Sequence, residues 1–222
     1  MLQTHRSYRG MVTAPHHLAA RAGLRVLEDG GNAIEAMVAA AAAIAAVYPH
    51  MNGLGGDNFW LIHSPGKPVV GIDACGGAAG LANPKFYRSQ GYTAIPSRGP
   101  LAALTVAGAV SGWREALQIG QGAWGGALPL TRLLEDAEFY AREGVSVTRT
   151  QAENTSEKLN ELQGAPGFTE TFLSDGKPPH EGARFRQPRL ADTLLQLSAR
   201  GLDDFYQGEL ARSMAADLER VG

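Results

Sequence analysis

The chain has 222 residues, of which 44% are apolar and 19% are charged, and its net charge at pH 7 is −2. This length allows one globular domain or two small ones. The weak net charge gives no reason to expect nucleic acid as a partner. The single cysteine, Cys75, excludes a disulfide framework and any metal site built from several cysteines. We predict a protein that uses neither a metal nor another cofactor.

Two stretches of the sequence bear on its location. The polar first ten residues carry Arg6 and Arg9 and are not followed by the apolar core of a signal peptide. The longest apolar run, residues 36–48, is too short and too rich in alanine to cross a bilayer comfortably. We expect a cytoplasmic chain that makes no contact with a membrane.

The first elements in chain order are two helices. Residues 17–29 carry a broad apolar stripe, and Gly30 after them suits a left-handed C-terminal cap. Asn32 with Glu35 three residues later forms a capping-box pattern, which predicts that a second helix begins here and covers residues 33–47. This helix is apolar on nearly every side, so we expect it to be buried.

A β-hairpin is predicted after the glycine-rich loop at residues 50–58. Its strands are the apolar segments 59–63 and 69–73, with a turn centred on Pro65 and Gly66. A loop of small residues, 75–79, leaves the second strand, and residues 101–106 are predicted to form another short strand. The remaining predicted elements are helices at residues 110–119, 130–142, 151–162, 188–199 and 210–219.

The low strand content limits the architecture. A sheet of two or three short strands is marginal alone, so we expect these strands to join others from outside this sequence. We interpret residues 1–222 as a single helix-rich domain with one hairpin.

Four segments, in this order and spacing, resemble the large subunit of the γ-glutamyltranspeptidase family from end to end of the chain. A lone glycine-rich loop would be weak evidence, whereas four segments in order are specific. The segments are residues 11–19 (MVTAPHHLA), 49–59 (PHMNGLGGDNF), 106–113 (VAGAVSGW) and 187–211, which contains Gln187-Pro188 and Phe205-Tyr206.

The resemblance implies a fold and a mechanism. The implied fold is α+β, an αββα sandwich of the N-terminal-nucleophile hydrolases, completed by a second chain. Such proteins are made as a zymogen that cleaves itself, and the small (β) subunit then begins with a threonine. Its hydroxyl is the nucleophile and its own α-amino group is the base. The resemblance thus implies that this chain is the N-terminal part of the large subunit and holds no catalytic residue. It also implies a heterodimer, with a heterotetramer as the next level of assembly.

The sequence departs from the transpeptidases after the predicted hairpin. In that family an arginine here pairs with the α-carboxylate of the γ-glutamyl substrate, but alignment on Ile72-Asp73 places Cys75 at its position. Without another cation, from Arg88 or Arg98, glutathione is disfavoured as a substrate. We expect Cys75, Gly76 and Gly77 to bind the substrate, since small residues let backbone amides approach a small planar acid or amide.

The predicted reaction is therefore hydrolysis of a small amide. Within the family, the glycine-rich loop and the missing arginine are most similar to the small-amide hydrolases that include oxamate amidohydrolase, which would convert oxamate to oxalate and ammonia. Three alternatives stay open. They are a γ-glutamyl hydrolase or transferase acting on glutathione-like substrates, an acylase for a bulkier amide such as a cephalosporin side chain, and a scaffold without activity.

Other reactive residues have simpler interpretations. Cys75 has no histidine near it in sequence, so we expect it to line a pocket. The histidines at positions 16, 17, 50 and 63 match no metal-ligand spacing, so we expect no metal site. We expect His16 or His17 in the core or at a helix start. The loop at residues 53–57 lacks the lysine of a phosphate-binding loop and is predicted to be a turn near the active site.

Overall fold

The computed structural model describes residues 4–221, which group into two compact units that are not continuous in sequence. Unit one joins the chain up to Gly53 with Trp113–Gly144 and Arg186–Leu202. Unit two joins Leu54–Gly112 and Val145–Phe185 with the chain from Asp203 onward. The prediction of a single domain over residues 1–222 stays a prediction, and its outermost positions, 1–3 and 222, lie outside the described residues.

The described residues are mostly helical, with short strands, in agreement with the predicted α+β class. The helices are α1 His17–Glu28, α2 Ala33–Val47, α3 Pro84–Ser89, α4 Ala109–Trp124, α5 Leu130–Glu143, α6 Arg149–Glu157, α7 Leu159–Leu162, α8 Phe168–Phe172, α9 Pro188–Arg200, α10 Asp204–Gln207 and α11 Glu209–Val221. The strands are β1 Asn58–Ile62, β2 Val70–Ala74, β3 Val145–Ser146 and β4 Arg184–Phe185. Strand β1 pairs antiparallel with β2, and β3 with β4. Between residues 4 and 221, no helix is both long and apolar enough for a transmembrane span.

The caps predicted for the first two helices are confirmed. The side chain of Asn32 accepts hydrogen bonds from the N–H groups of Ile34 and Glu35, at 2.9 and 3.0 Å, and Glu35 accepts one from Asn32 N at 2.8 Å. At the end of α1, Gly30 has φ +91° and Gly31 N donates to Val26 O, the pattern of a Schellman cap. The second carboxylate oxygen of the buried Glu35 accepts from Leu128 N at 2.9 Å. One side chain thus fixes both the start of α2 and the approach to α5.

Helix α2 forms the centre of unit one. Its alanines at positions 39, 42, 43 and 46 are at most 1% exposed, and α1 and α5 pack against the helix. Small side chains let neighbouring helices approach closely, which is why this helix is apolar on nearly every side. At its C-terminal end, the carbonyl of Ala46 accepts a 2.8 Å hydrogen bond from the buried side chain of Gln187. This bond satisfies a carbonyl that the helix itself leaves unpaired.

A buried carboxylate links α1 and α5. The side chain of Asp136 on α5 is 2% exposed and lies 2.5 Å from a guanidinium nitrogen of Arg25 and 3.4 Å from one of Arg132. A buried charge is tolerated only when partners of opposite sign replace its lost hydration. Asp136 therefore depends on both arginines.

The predicted hairpin is confirmed in unit two, with each strand shifted by one residue. Lys67 N donates to Ser64 O at 3.0 Å, and Gly66 has the positive φ, +75°, that a type II turn requires at this position. Successive side chains alternate between the faces of the hairpin. Ile62 is buried on one face, whereas Leu61 is 86% exposed on the other.

Two predicted elements were wrong in part. Residues 101–106 are not a strand, because Gly99, at φ +85°, and Pro100 begin a 3-10 turn over Pro100–Ala102, and Thr105 forms only an isolated bridge with Ala78. The helix predicted over residues 151–162 is two helices, α6 and α7, because Lys158 leaves helical geometry at φ −93°, ψ 2°. The other predicted helices are confirmed to within a few residues at their ends.

Replacing Asp136 by asparagine is expected to lower the free energy of unfolding by about 2 kcal/mol, because the arginines lose a charged hydrogen-bond acceptor in a buried place. Chemical denaturation measures this. The matched control is Asp192→Asn, since Asp192 pairs with Arg142 at 3.1 Å but its side chain is 70% exposed. That variant should stay within about 0.5 kcal/mol of the parent. Equal effects for the two variants would contradict the role given to Asp136.

Candidate functional site

The predicted site residues lie together in the loop that leaves β2. Ala74, the last residue of β2, is buried and pairs with Asn58. Cys75 N then donates to the side chain of Asp73 at 3.2 Å, which turns the chain away from the strand. Cys75 is half-buried, and Gly76 and Gly77 are exposed. The three residues thus form one surface loop, as predicted, and their binding role stays a prediction.

This loop crosses a second backbone segment with no side chain between them. A β-carbon on Gly76, whose φ is +78°, would overlap the carbonyl oxygen of Val106. A β-carbon on Gly108 would overlap the carbonyl oxygen of Ala74. Val106 N donates to Gly77 O at 2.9 Å across the crossing. Glycine is therefore required on both sides of the crossing.

Two contacts hold the second segment where it enters α4. Gly108 N and Ala109 N both donate to the carbonyl of Gly56, at 3.0 and 2.9 Å. The hydroxyl of Tyr206 donates to Ala107 O at 2.8 Å and accepts from Ser111 N at 2.9 Å. These bonds occupy N–H groups that a helix start leaves without partners.

The glycine-rich loop is a turn, as predicted. The carbonyl of Gly56 faces the start of α4, so this part of the loop offers an acceptor to a helix. A phosphate-binding loop would instead direct its N–H groups towards an anion.

Sequence reasoning missed the part that Tyr206 takes in this region. The sequence places Phe205 and Tyr206 only within a segment that resembles the family. No local pattern shows that a tyrosine at position 206 reaches a carbonyl at position 107.

The charges around Cys75 are negative. Its pKa is raised by the hydrogen bond to Asp73 and by the charges of Asp73 and Asp57, so the thiol stays protonated near neutral pH. A reactive cysteine needs the opposite environment, in which positive charge favours the thiolate. The negative surroundings of Cys75 support its interpretation as a residue that lines a pocket.

Two backbone donors of the loop are free. Within residues 4–221, the N–H groups of Gly76 and Gly77 donate to no acceptor. Both residues are exposed, and Gly76 N lies close to Gly108, where an added β-carbon would be 3.1 Å away. Adjacent free N–H groups suit an oxygen that carries negative charge.

The histidines of unit one form a ring cluster without the features of a metal site. His16 stacks on His17 with ring centres 4.7 Å apart, and Tyr48 lies 4.2 Å from His50. His16 Nδ1 accepts from Leu18 N at the start of α1, as expected for a helix-start residue. In the part of the chain that the structure describes, no group of three histidine, cysteine or acidic side chains could hold a metal ion.

Acidification is expected to destabilise this cluster. Burial lowers the pKa of His16 and of His50 below the ordinary 6.5, and His17 and His50 lower that of His16 further. The unfolded chain therefore binds more protons, so the stability that depends on the neutral histidines is fully present above pH 6.5. It is lost as pH falls from 6.5 through the lowered pKa values of the folded state. Thermal unfolding between pH 5 and 8 should show a shallower decline for His50→Gln than for the parent. An identical decline in the two proteins would show that protonation of His50 does not contribute to the loss of stability.

Adding a methyl group at position 76 is expected to disrupt the crossing. Gly76→Ala must overcome both the left-handed backbone and the overlap with Val106, so unfolding should become easier by about 2 kcal/mol or more. The matched control is Gly77→Ala, because nothing lies within 4 Å of its added carbon. That variant should stay within about 0.5 kcal/mol of the parent in chemical denaturation. A tolerated Gly76→Ala would mean that the crossing is more open than described.

Comparisons with known proteins agree with this description. Over 216 residues the chain is 56% identical to a protein named oxamate amidohydrolase proenzyme from Klebsiella pneumoniae subsp. pneumoniae, covering 97% of this chain and 40% of that protein. Over 213 residues it is 39% identical to the glutathione hydrolase-like YwrD proenzyme of Bacillus subtilis, covering 96% of this chain and 39% of that one. The chain thus spans about two fifths of the length of these relatives.

A solved structure supports the fold. The γ-glutamyltranspeptidase of Helicobacter pylori superimposes with a TM-score of 0.88 at 29% identity, over 98% of this chain and 62% of that one. The predicted fold of the N-terminal-nucleophile hydrolases is thereby confirmed. The family model described as gamma-glutamyltranspeptidase matches residues 19–222. The chain belongs to the γ-glutamyltranspeptidase family.

Proposed function

We propose that this chain is the large-subunit framework of an amidohydrolase that cleaves a small amide, with oxamate as substrate and oxalate and ammonia as products. The observation that carries this proposal is the 56% identity to the protein named oxamate amidohydrolase proenzyme, which extends over 97% of the chain.

The geometry of the loop supports a small substrate. Cys75 stands where transpeptidases of the family have their carboxylate-binding arginine, and the charges close to it are those of Asp57 and Asp73. The free N–H groups of Gly76 and Gly77 would donate to oxygens of a planar amide. Because the loop lies directly on Val106 and Gly108, its position is fixed before substrate binds. Fixed donors stabilise developing negative charge without a cost for reorganisation.

The proposed chemistry takes place on the partner chain. The hydroxyl oxygen of its N-terminal threonine attacks the amide carbon, and the α-amino group accepts the hydroxyl proton. The carbon–nitrogen bond then breaks, and ammonia leaves with that proton, so that an oxalyl ester of the threonine remains. Water attacks this ester, oxalate leaves, and the threonine hydroxyl is restored. This chain contributes the substrate-binding loop and the helices that support it.

Glutathione hydrolysis is the second candidate, and the 39% identity to the glutathione hydrolase-like protein of Bacillus subtilis favours it. The loop lacks the carboxylate-binding arginine of the transpeptidases, but oxamate carries a carboxylate as well, so this loss does not separate the two substrates. The ranking rests on the identities, 56% to the oxamate amidohydrolase proenzyme and 39% to the glutathione hydrolase-like protein. We therefore place glutathione after oxamate.

The test uses the full-length precursor, purified after self-cleavage. Intact-mass measurement and N-terminal sequencing should show a second polypeptide that begins with threonine and copurifies with the large subunit. Mass photometry then distinguishes a heterodimer from a heterotetramer. Ammonia release should be faster from oxamate than from oxamide, and glutathione should be a poor substrate.

The control is a precursor in which that threonine is replaced by alanine, which should neither cleave itself nor hydrolyse oxamate. Glutathione as the better substrate would overturn the oxamate assignment. A partner that begins with another residue would overturn the mechanism.

A further inference from the structure

Unit two contains a cavity of about 300 Å³ beside α3. Its walls are mainly apolar and aromatic. The residues that line it include Asn83, Tyr87, Arg88, Tyr92, Ile95 and Leu104.

Local sequence signals build this cavity. Asn83 caps α3 by accepting from Phe86 N at 3.1 Å, and Pro84 occupies the first helical position. At the other end, Gly91 has φ +83° and Tyr92 N donates to Tyr87 O at 3.0 Å, so the chain folds back along the helix. The hydroxyl of Tyr87 donates to Leu101 O at 3.0 Å and holds the segment that leads to Leu104 against α3.

The cavity adjoins the loop of the candidate site. Leu104 lines the cavity, and its carbonyl accepts from Ala79 N at 2.9 Å. Val106, two residues later, donates to Gly77 O at 2.9 Å. Two residues of extended chain span roughly 7 Å, so the edge of the cavity and the loop are neighbours.

Arg88 sets the charge of the cavity. It is the one basic residue among those that line the cavity, and none of the lining residues is acidic. Within residues 4–221 its guanidinium has no hydrogen-bond or ion-pair partner. Arg98, the other candidate from the sequence, lies 3.5 Å from the carboxylate of Glu161 and donates to Ser97 O. The two arginines therefore differ, and only Arg88 is available for an anion.

We propose that Arg88 binds the carboxylate of the substrate, so that the substrate class is the monoamides of dicarboxylic acids. This inference rests on the proposed amidohydrolase function. A planar guanidinium offers two parallel hydrogen bonds to a carboxylate, and the exposed Arg88 is accessible to such a ligand. The amide end of a longer member of the class, such as succinamate, would extend towards the loop of Gly76 and Gly77. Since the cavity is larger than oxamate needs, it also takes longer members of the class.

The kinetic test uses the processed two-chain enzyme with oxamate, malonamate and succinamate, each compared with its uncharged diamide. Arg88→Gln should raise KM for the monoamides about 10-fold and leave kcat nearly unchanged, because a binding contact is lost. Hydrolysis of the diamides should not change. Arg88→Lys, which keeps the charge but loses the paired hydrogen bonds, should lie between the parent and Arg88→Gln. The control variant Arg98→Gln should behave like the parent.

Two kinetic results would overturn the inference. One is an unchanged KM for every monoamide in Arg88→Gln. The other is an equal loss for monoamides and diamides, which would show a general effect on the fold instead of recognition of the carboxylate. The melting temperatures of all variants show whether a substitution impairs folding. If Arg88→Gln is impaired, the KM of Arg88→Lys for the monoamides tests the role of Arg88 instead.

Calorimetry separates this inference from the proposed function. Succinate is not hydrolysed, so its binding to the processed protein does not depend on activity. Binding should weaken about 10-fold in Arg88→Gln and be unchanged in Arg98→Gln. If no amide is hydrolysed but succinate binding still depends on Arg88, the proposed function fails and the carboxylate site stands. If succinate binds equally to the parent and to Arg88→Gln, the carboxylate site is wrong.

Discussion

The crossing of two bare backbone segments in unit two determines the geometry of the candidate site. Gly76 lies on Val106 and Gly108 lies on Ala74, so any side chain at either glycine would separate the segments. The left-handed φ of Gly76 adds to this requirement, since other residues adopt such a conformation only at a cost of about 1–2 kcal/mol. The close approach of the two segments places the loop at residues 75–77 beside the start of α4. The hydroxyl of Tyr206 holds that helix start by its hydrogen bond to Ala107 O.

Charge is distributed unevenly along the same stretch of chain. Asp57 and Asp73 place negative charge near Cys75, whereas Arg88, which has no partner among residues 4–221, lies beyond the pairing of Ala79 with Leu104. A carboxylate at Cys75 itself would meet repulsion, and one placed towards Arg88 would meet attraction. The departure from the transpeptidase pattern at Cys75 is thus consistent with recognition by a cation that lies elsewhere in the fold.

Unit one shows why several family segments are recognisable from the sequence. Their residues lie at positions where packing or hydrogen bonding allows few other residue types. A β-carbon on Gly23 would lie 2.7 Å from Ala36 O, Asn32 caps α2, and Gln187 satisfies the carbonyl of Ala46. Close helix packing and buried polar groups both restrict the residue type, because a misfit leaves either an overlap or an unpaired hydrogen-bonding group. These restrictions act on the scaffold and do not identify the substrate.

The sequence by itself determined the features that depend on neighbours within a few residues. The capping box at Asn32, the turn at Gly66 and the buried helix over residues 33–47 all follow from short-range geometry. The order of four segments also determined the family. Only the tertiary structure decided that residues 101–106 form a turn and a bridge, and that Tyr206 reaches Ala107. It also decided that Arg98 is paired, whereas Arg88 has no partner in the part of the chain that the structure describes. The physical reason is separation in the chain, since the hydrogen bond of Tyr206 joins residues 99 positions apart and the ion pair of Arg98 depends on Glu161. No local pattern specifies which distant group a side chain meets, because that choice is made by the packing of the whole unit.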